Sequence, residues 1–179
     1  MKKTSMTQFV SQSIEESLMN VDTCLICEVL EVDMNLYKAD VLPLHDSEAT
    51  PILDVPIAFW QTEQFVIQVP FKKGDKVLVV CSQADIDPLM FGGGKAASRS
   101  FSANDALIVG GVNYFTKPLQ NEHPNDVVIG TKDFRTKIVI NELGEINVKS
   151  SNFKVEADNI EFIGSTITAN GEDLTTDLV

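Results

Sequence analysis

A seven-residue repeat runs through residues 138–172. Written in blocks of seven, IVINELG-EINVKSS-NFKVEAD-NIEFIGS-TITANGE, it is mostly apolar at the second and fourth positions. A coiled-coil heptad needs apolar residues three and four apart, whereas these are two apart, which places both side chains on one face of a β-strand. Because Asn, Asp, Gly and Ser fill the remaining positions, the repeat predicts short strands separated by turns, as in a β-solenoid.

The repeat also predicts an oligomer. Two apolar side chains per strand make a thin core, so we expect three chains to turn these faces toward a common axis as an obligate homotrimer. Burying one such side chain contributes roughly 1.5–3 kcal/mol, and pairing between chains removes exposed sheet edges. The residues predicted to face the axis are Val139, Ile146, Val148, Phe153, Val155, Ile160, Phe162, Ile167 and Ala169.

The region before the repeat has the period of two that is typical of β-strands. Short β-branched and aromatic runs alternate with polar, Pro or Gly breaks. They are TCLICEVLEV, LYKADVLPL, PILDVPIAFW, FVIQVP, DKVLVVCSQ and DALIVGGV. Five or six strands in about 95 residues favour a small closed barrel or a sandwich, with the OB-fold as the leading candidate.

The predicted fold class is therefore mainly β, with an N-terminal helix, an OB-fold barrel and a C-terminal intertwined triple-stranded β-helix. The helix follows from Val10, Ile14 and Leu18, which recur every four residues. It packs either on its own domain or on a neighbouring subunit, and the sequence leaves both open. The predicted segments are the helix at 1–20, the barrel at 21–115, a linker at 116–125 and the needle at 126–179.

Charge and hydropathy exclude several classes of protein. The net charge is −12, and no basic stripe is present, which disfavours binding to a phosphate backbone. No run of about 18 apolar residues is present to span a membrane. The N-terminal MKKTSMTQFV has no apolar stretch after its lysines, so we expect no secretory signal.

The cysteine pair Cys24-x-x-Cys27 raises the possibility of redox or zinc chemistry. It lies in a predicted strand, where residues three apart point to opposite faces, and no second pair accompanies it. We therefore interpret these cysteines as small buried apolar residues and predict no metal and no cofactor.

No catalytic constellation stands out. The two histidines, His45 and His123, are far apart in sequence, and Asp85 and Asp87 carry no signal of a catalytic pair. The glycine-rich stretch at 90–105 lacks the spacing of a phosphate-binding loop. The sequence therefore predicts that the chain is not an enzyme.

Several stretches, taken in order with the repeat, resemble a known family. They are PILDVPI (51–57), VPFKKGDKVLVVCSQADIDPLMFGGG (69–94), the DALI run before Gly110-Gly111, and DVVIGTKDFRTKIVINELGEINVKSS (126–151). Across residues 20–172 the chain resembles the baseplate central-spike family of phages and related contractile injection machines. That resemblance implies a trimer with an N-terminal OB domain and a C-terminal β-helix that acts as a membrane-piercing needle.

The resemblance also implies partners and a location. We expect a homotrimer that contacts tail hub and tube proteins and the host cell envelope, and that resides in the virion baseplate after synthesis in the host cytoplasm. Several family members end in a His-x-His tip that coordinates iron, a motif absent here, so we expect the sharp apex to be either absent or supplied by a separate apex protein. The alternative is a non-catalytic OB-type binding module for cell-wall glycan or a tail partner protein, with the loop at 90–104 as its contact surface.

Overall fold

The structure is a computed structural model that describes residues 6–19, 21–169 and 172–173, and it is mainly β with few helices. The chain divides into two compact units, Met1–Pro118 and Leu119–Val179, which are described separately. Their boundary lies inside the predicted linker at 116–125. Within the described ranges, no helix has both the length and the apolar character needed to cross a membrane.

The first unit contains one long helix, seven strands and two short helical turns. In chain order these are α1 (Met6–Met19), β1 (Cys24–Asp33), β2 (Lys38–Pro43), β3 (Ile52–Pro56), β4 (Trp60–Gln61), β5 (Val66–Ile67), β6 (Lys76–Cys81), α2 (Asp87–Met90), a 3-10 turn (Ala103–Asp105) and β7 (Ala106–Gly111). The six sequence runs that predicted strands each contain at least one of these strands.

Five strands of the first unit form one antiparallel sheet in the order β3-β2-β1-β6-β7. Its two edges approach each other just beyond β3, where Ile57 and Ile108 form a parallel bridge and the Ala58 N–H donates to the Ile108 carbonyl at 2.8 Å. The sheet is therefore curled into a half-barrel. Strands β4 and β5 pair only with each other and form a separate hairpin.

The core fills the inside of this half-barrel. It follows the alternation of the strands, as in β6, where every second residue is buried and the intervening ones are more exposed. The buried set is Cys27, Val29, Ala39, Val41, Val55, Ile57, Val77, Val79, Cys81, Ala106 and Ile108. A single chain thus supplies a continuous apolar core for this unit.

The cysteines divide between the two sides of the sheet. Cys27 and Cys81 are buried, and burial raises the pKa of each thiol to about 11, which leaves both protonated at neutral pH. Cys24 is exposed, as strand alternation places it on the face opposite Cys27. The interpretation as buried apolar residues is therefore confirmed for Cys27 and Cys81 and is wrong for Cys24.

Helix α1 forms where the four-residue spacing predicts it. The apolar side chains of Phe9, Val10 and Ile14 are exposed to solvent along it. The side chain of Leu18 lies outside the part of the chain whose side chains the structure describes.

The second unit contains β8 (Val127–Gly130), β9 (Lys137–Ile140), β10 (Ile146–Lys149), β11 (Thr168–Ala169) and β12 (Glu172–Asp173). Strands β8, β9 and β10 form an antiparallel sheet with β9 in the centre, and β11 pairs with β12. Asn141 and Gly144 close the β9–β10 turn: Gly144 has φ +82°, and the Asn141 carboxamide accepts from the Glu145 N–H at 2.9 Å. The first two blocks of the repeat therefore form a hairpin in the single chain.

Candidate functional site

The sheet β8-β9-β10 has one face made entirely of apolar side chains. Residues that pair across antiparallel strands lie on the same face, and the register pairs Val127 with Ile140, Ile129 with Ile138, Ile146 with Ile140, and Val148 with Ile138. We call this set the apolar face; its members are Val127, Ile129, Ile138, Ile140, Ile146 and Val148, all of them exposed. Contiguous exposed apolar surface of this kind marks an interaction site.

The opposite face of this sheet is buried in part. Val139 is 2% exposed and Lys137 8% exposed, and the Lys137 ammonium lies 3.5 Å from the Glu122 carboxylate. Glu122 therefore lies on this side of the sheet. Because the register pairs Val139 with Asn147, Val139 faces away from Ile146 and Val148.

The predicted inward-facing set is thus divided between two faces. In this hairpin, residues that pair across the turn are separated by an even number of positions, as 139 is from 147 and 138 is from 148. Residues seven apart, such as Val139 and Ile146, therefore fall on opposite faces. Ile146 and Val148 share a face as predicted, together with four apolar residues that the repeat analysis did not include.

Residues 150–166, which we call the extended segment, form neither helix nor strand. No backbone–backbone hydrogen bond joins them to another described residue. Phe153, Val155, Ile160 and Phe162, all predicted to face the axis, are exposed along it. The repeat continues through this segment without any strand partner from the described chain.

The last two predicted residues fall at the end of the repeat. Ile167 is partly buried. Ala169 is the last residue of β11, and the side chain of Ala169 lies outside the part of the chain that the structure describes.

Steric contact explains why a glycine follows Ile129 before the turn that leads into β9. A Cβ on Gly130 would lie 2.5 Å from the Thr136 carbonyl oxygen, so only glycine fits. The Asp133 carboxylate accepts from the Thr131 hydroxyl at 2.6 Å and from the Arg135 N–H at 3.2 Å, and the Thr131 bond in particular holds the pKa of Asp133 below its usual range. This turn sets the register of the apolar face.

A second cluster of polar groups lies in the first unit, beside the glycine-rich loop. Arg99 donates to three carboxylates, with distances of 2.6 Å to Asp85, 2.8 Å to Asp87 and 2.7 Å to Asp105. The side chain of Asp105 is fully buried and that of Asp85 nearly so. The hydrogen bond from Arg99 lowers the pKa of Asp105, and a second bond from the Ile86 N–H adds to the effect.

This cluster fixes the loop at 90–104. Three acidic oxygens, one each from Asp85, Asp87 and Asp105, lie within 4.8 Å of one another, a spacing that suits a metal ion. The guanidinium of Arg99 already supplies the positive charge there. Gly92, Gly93 and Gly94 all have positive φ, so the chain turns sharply before Arg99 reaches back.

The sequence analysis missed this cluster. The signal available was Arg99 itself, one of only two arginines in the chain, which lies 14 and 12 residues after Asp85 and Asp87. Asp54 lies within β3 at the irregularity in its pairing with β2: its backbone is left-handed (φ +57°), its N–H donates to Asp40 at 2.9 Å, and Lys38 lies 2.7 Å from its carboxylate.

Comparison with known families finds one match. Residues 18–111, just over half of the chain, match the family model described as the phage protein Gp138 N-terminal domain. The match covers β1 to β7 and the Arg99 cluster. No curated protein matches the chain.

Proposed function

The chain belongs to the phage protein Gp138 N-terminal domain family and is a phage structural component, and on that premise we propose that it forms the trimeric central spike of a tail baseplate. The first unit closes or adapts the end of the tail tube, and the second unit forms the needle that leads penetration of the host envelope. The proposed location is the virion baseplate.

The observation that carries this proposal is the unsatisfied surface of the second unit. One chain leaves the apolar face exposed on its sheet, and it leaves Phe153, Val155, Ile160 and Phe162 exposed on a segment without strand partners. A segment without strand partners becomes part of a β-sheet only when other strands form backbone hydrogen bonds with it. Three intertwined copies would supply both the strand partners and the cover for the apolar side chains.

The first unit supports the same proposal through its topology. An OB-fold is a partly open, five-stranded Greek-key barrel. The order β3-β2-β1-β6-β7, with a parallel bridge between the edges at Ile57 and Ile108, is consistent with such a barrel. We therefore assign the first unit as the OB domain of the spike.

The proposed mechanism is mechanical, and we assign no catalytic role. A closed prism of strands has no free edges, so axial force from the tail is carried by many backbone hydrogen bonds at once. The proposed partners are two further copies of the chain, hub and tube proteins at one end, and a separate apex protein and the host envelope at the other.

The test is the mass of the protein in solution and its response to one charge. We expect a trimer for the full chain and a monomer for Phe153→Asp, because the substitution places three carboxylates near one axis. The matched control is Lys154→Asp at the next position, where an exposed ion pair with Glu156 contributes little; it should remain trimeric. A monomeric native chain, or a Phe153→Asp trimer as stable as the native one, would contradict the proposal.

A further inference from the structure

A hairpin of the first unit carries apolar side chains that nothing in the described part of the chain covers. Every residue from Trp60 to Pro70 is exposed, with Trp60 at 81% and Phe65 at 75%. Trp60 pairs with Ile67 across β4 and β5, so both point to one face. Phe65 and Val69 are two residues on either side of Ile67, a spacing that keeps them on that face in an extended chain. We call residues 60–69 the arm.

An isolated two-stranded hairpin is marginally stable at best in water. The arm has its own closing contacts, since the Thr62 N–H donates to the Phe65 carbonyl at 2.8 Å. These contacts fix the shape of the arm but bury none of its apolar face. We therefore expect another surface to cover the apolar side chains of the arm.

A second uncovered apolar surface lies on the outside of the half-barrel. After Lys76, strand β6 is apolar on both sides, which is typical of a strand that is buried on both faces. The register places Ile26 opposite Leu78, and places Cys24 and Leu107 opposite Val80. We call these five residues the outer face; Cys24, Ile26 and Val80 are exposed, and Leu78 and Leu107 are partly buried.

The area of the arm matches what an interface between copies needs. A standard interface buries about 800 Å² per partner, of which about 57% is apolar, or roughly 450 Å². Trp60 and Phe65 each offer on the order of 150 Å², and Ile67 and Val69 offer about 100 Å² each by the transfer relation. The arm therefore carries about the apolar area of one such interface.

Charge also favours a second copy as the occupant. The chain has a net charge of −12, so two copies repel each other wherever acidic surfaces meet. The arm's apolar side chains and the outer face are uncharged, and the charged neighbours of the outer face, Glu28 and Lys76, neutralise each other in an ion pair. Interface cores are likewise depleted in charged residues.

We propose that the arm of one copy docks on the outer face of the next copy, so that three first units form a closed ring. The two surfaces differ, so the contact is head-to-tail. Such contacts form a closed ring only when the rotation from each copy to the next brings the last copy back to the first. This inference rests on the trimer proposed above and names the contact that its first units make.

A disulfide experiment on the full chain tests the docking, because Cys24 is a native thiol on the outer face. Ile67→Cys places a second thiol on the apolar side of the arm. On mild oxidation we expect most of the protein to become a covalent trimer, since each copy links to the next. The matched control is Val66→Cys, whose side chain points to the other side of β5, opposite Gln61; it should give little product. Adding Cys24→Ser to Ile67→Cys should abolish the link.

The outcomes separate this inference from the proposed function. A trimer by mass with no more cross-linking for Ile67→Cys than for Val66→Cys overturns the docking and leaves the spike intact. Covalent dimers without covalent trimers overturn the head-to-tail ring. A native chain that is monomeric overturns both.

Fluorescence of Trp60, the chain's only tryptophan, gives an independent readout. In the native trimer we expect blue-shifted emission and protection from a soluble quencher, both lost in the monomeric Phe153→Asp variant. Exposure of Trp60 in the trimer contradicts the docking. Protection that persists in the monomer also contradicts it, because the cover would then come from the same chain, for example from α1, and not from a second copy.

Discussion

The two units of the chain use the same alternation of apolar and polar residues, but only the first completes a core with it. In the first unit the sheet curls on itself, and residues such as Val29, Val79 and Ile108 are fully buried. In the second unit the sheet stays a single layer, and Ile140, Ile146 and their neighbours remain exposed. Alternation therefore fixes which side chains share a face, whereas the number of strands decides whether one chain can bury that face.

Five strands with edges that meet enclose their own interior, but three strands cannot. A three-stranded sheet needs a second layer against its apolar face. The extended segment that follows it has no strand partner in the described chain. The first unit thus completes its core within one chain, whereas the second leaves its apolar face exposed.

The largest expected effect comes from separating the two units. A fragment of residues 21–118 should unfold cooperatively with native-like sheet content, because it retains the whole buried core. A fragment of residues 119–179 held at concentrations where it is monomeric should show no cooperative transition. Circular dichroism on heating, together with mass in solution, measures both. Cooperative unfolding of a monomeric 119–179 fragment would remove the contrast between the units.

A smaller effect distinguishes the two faces of β9. Ile140→Asp charges the apolar face and should dissociate the assembly while the first unit stays folded. Val139→Ala, at the neighbouring position, removes buried carbon on the covered face and should cost about 1.5–2.5 kcal/mol of stability with the oligomer retained. Sedimentation and chemical denaturation measure the two responses. If Val139→Ala dissociated the oligomer while Ile140→Asp did not, the face assignment from the hairpin register would be reversed.

Much of the strand content could be predicted from the sequence, because alternation is a local property. The runs around Val29, Val79 and Ile108 each predicted a strand, and the strands formed there. The face of Val139 could not be predicted, since it depends on whether Asn141 and Gly144 make a hairpin turn or a rung of a solenoid. A seven-residue repeat is compatible with both a hairpin and a solenoid rung, and only the register of the strand pairing distinguishes the two.

The Arg99 cluster illustrates a second limit on sequence reading. Asp85, Asp87 and Asp105 are spread over 21 residues and include no recognised motif. They converge because β6 and β7 are adjacent in the sheet, so the segments at their ends meet. Glycine-rich composition indicated a flexible loop, whereas the ion pairs to Arg99 hold its far end in place.

The smallest expected effect comes from this loop. Arg99→Gln removes the cation from among three carboxylates, two of them buried, and should lower the thermal midpoint of the first unit by several degrees without changing the oligomer. The control is Arg135→Gln, since Arg135 is well exposed and its ion pair with Asp133 lies at 3.3 Å on the surface; it should leave the midpoint nearly unchanged. An equal effect of the two substitutions would mean that the loop is held by its other contacts.

The destabilisation caused by Arg99→Gln should depend on pH, whereas destabilisation from a general loss of packing would not. In the native chain the pKa of Asp105 lies below its ordinary value of 3.8, chiefly through Arg99, so its contribution is present at neutral pH. That contribution is lost as the pH falls below 3.8 and toward the depressed folded pKa. Without Arg99, the guanidinium no longer opposes the effect of burial, which raises the pKa of Asp105, so protonation at acidic pH removes less stability from the variant. The difference in thermal midpoint between native chain and Arg99→Gln should therefore be largest near neutral pH and shrink on acidification. A difference that stays constant down to acidic pH would show that Arg99 stabilises the loop by packing and not by its charge.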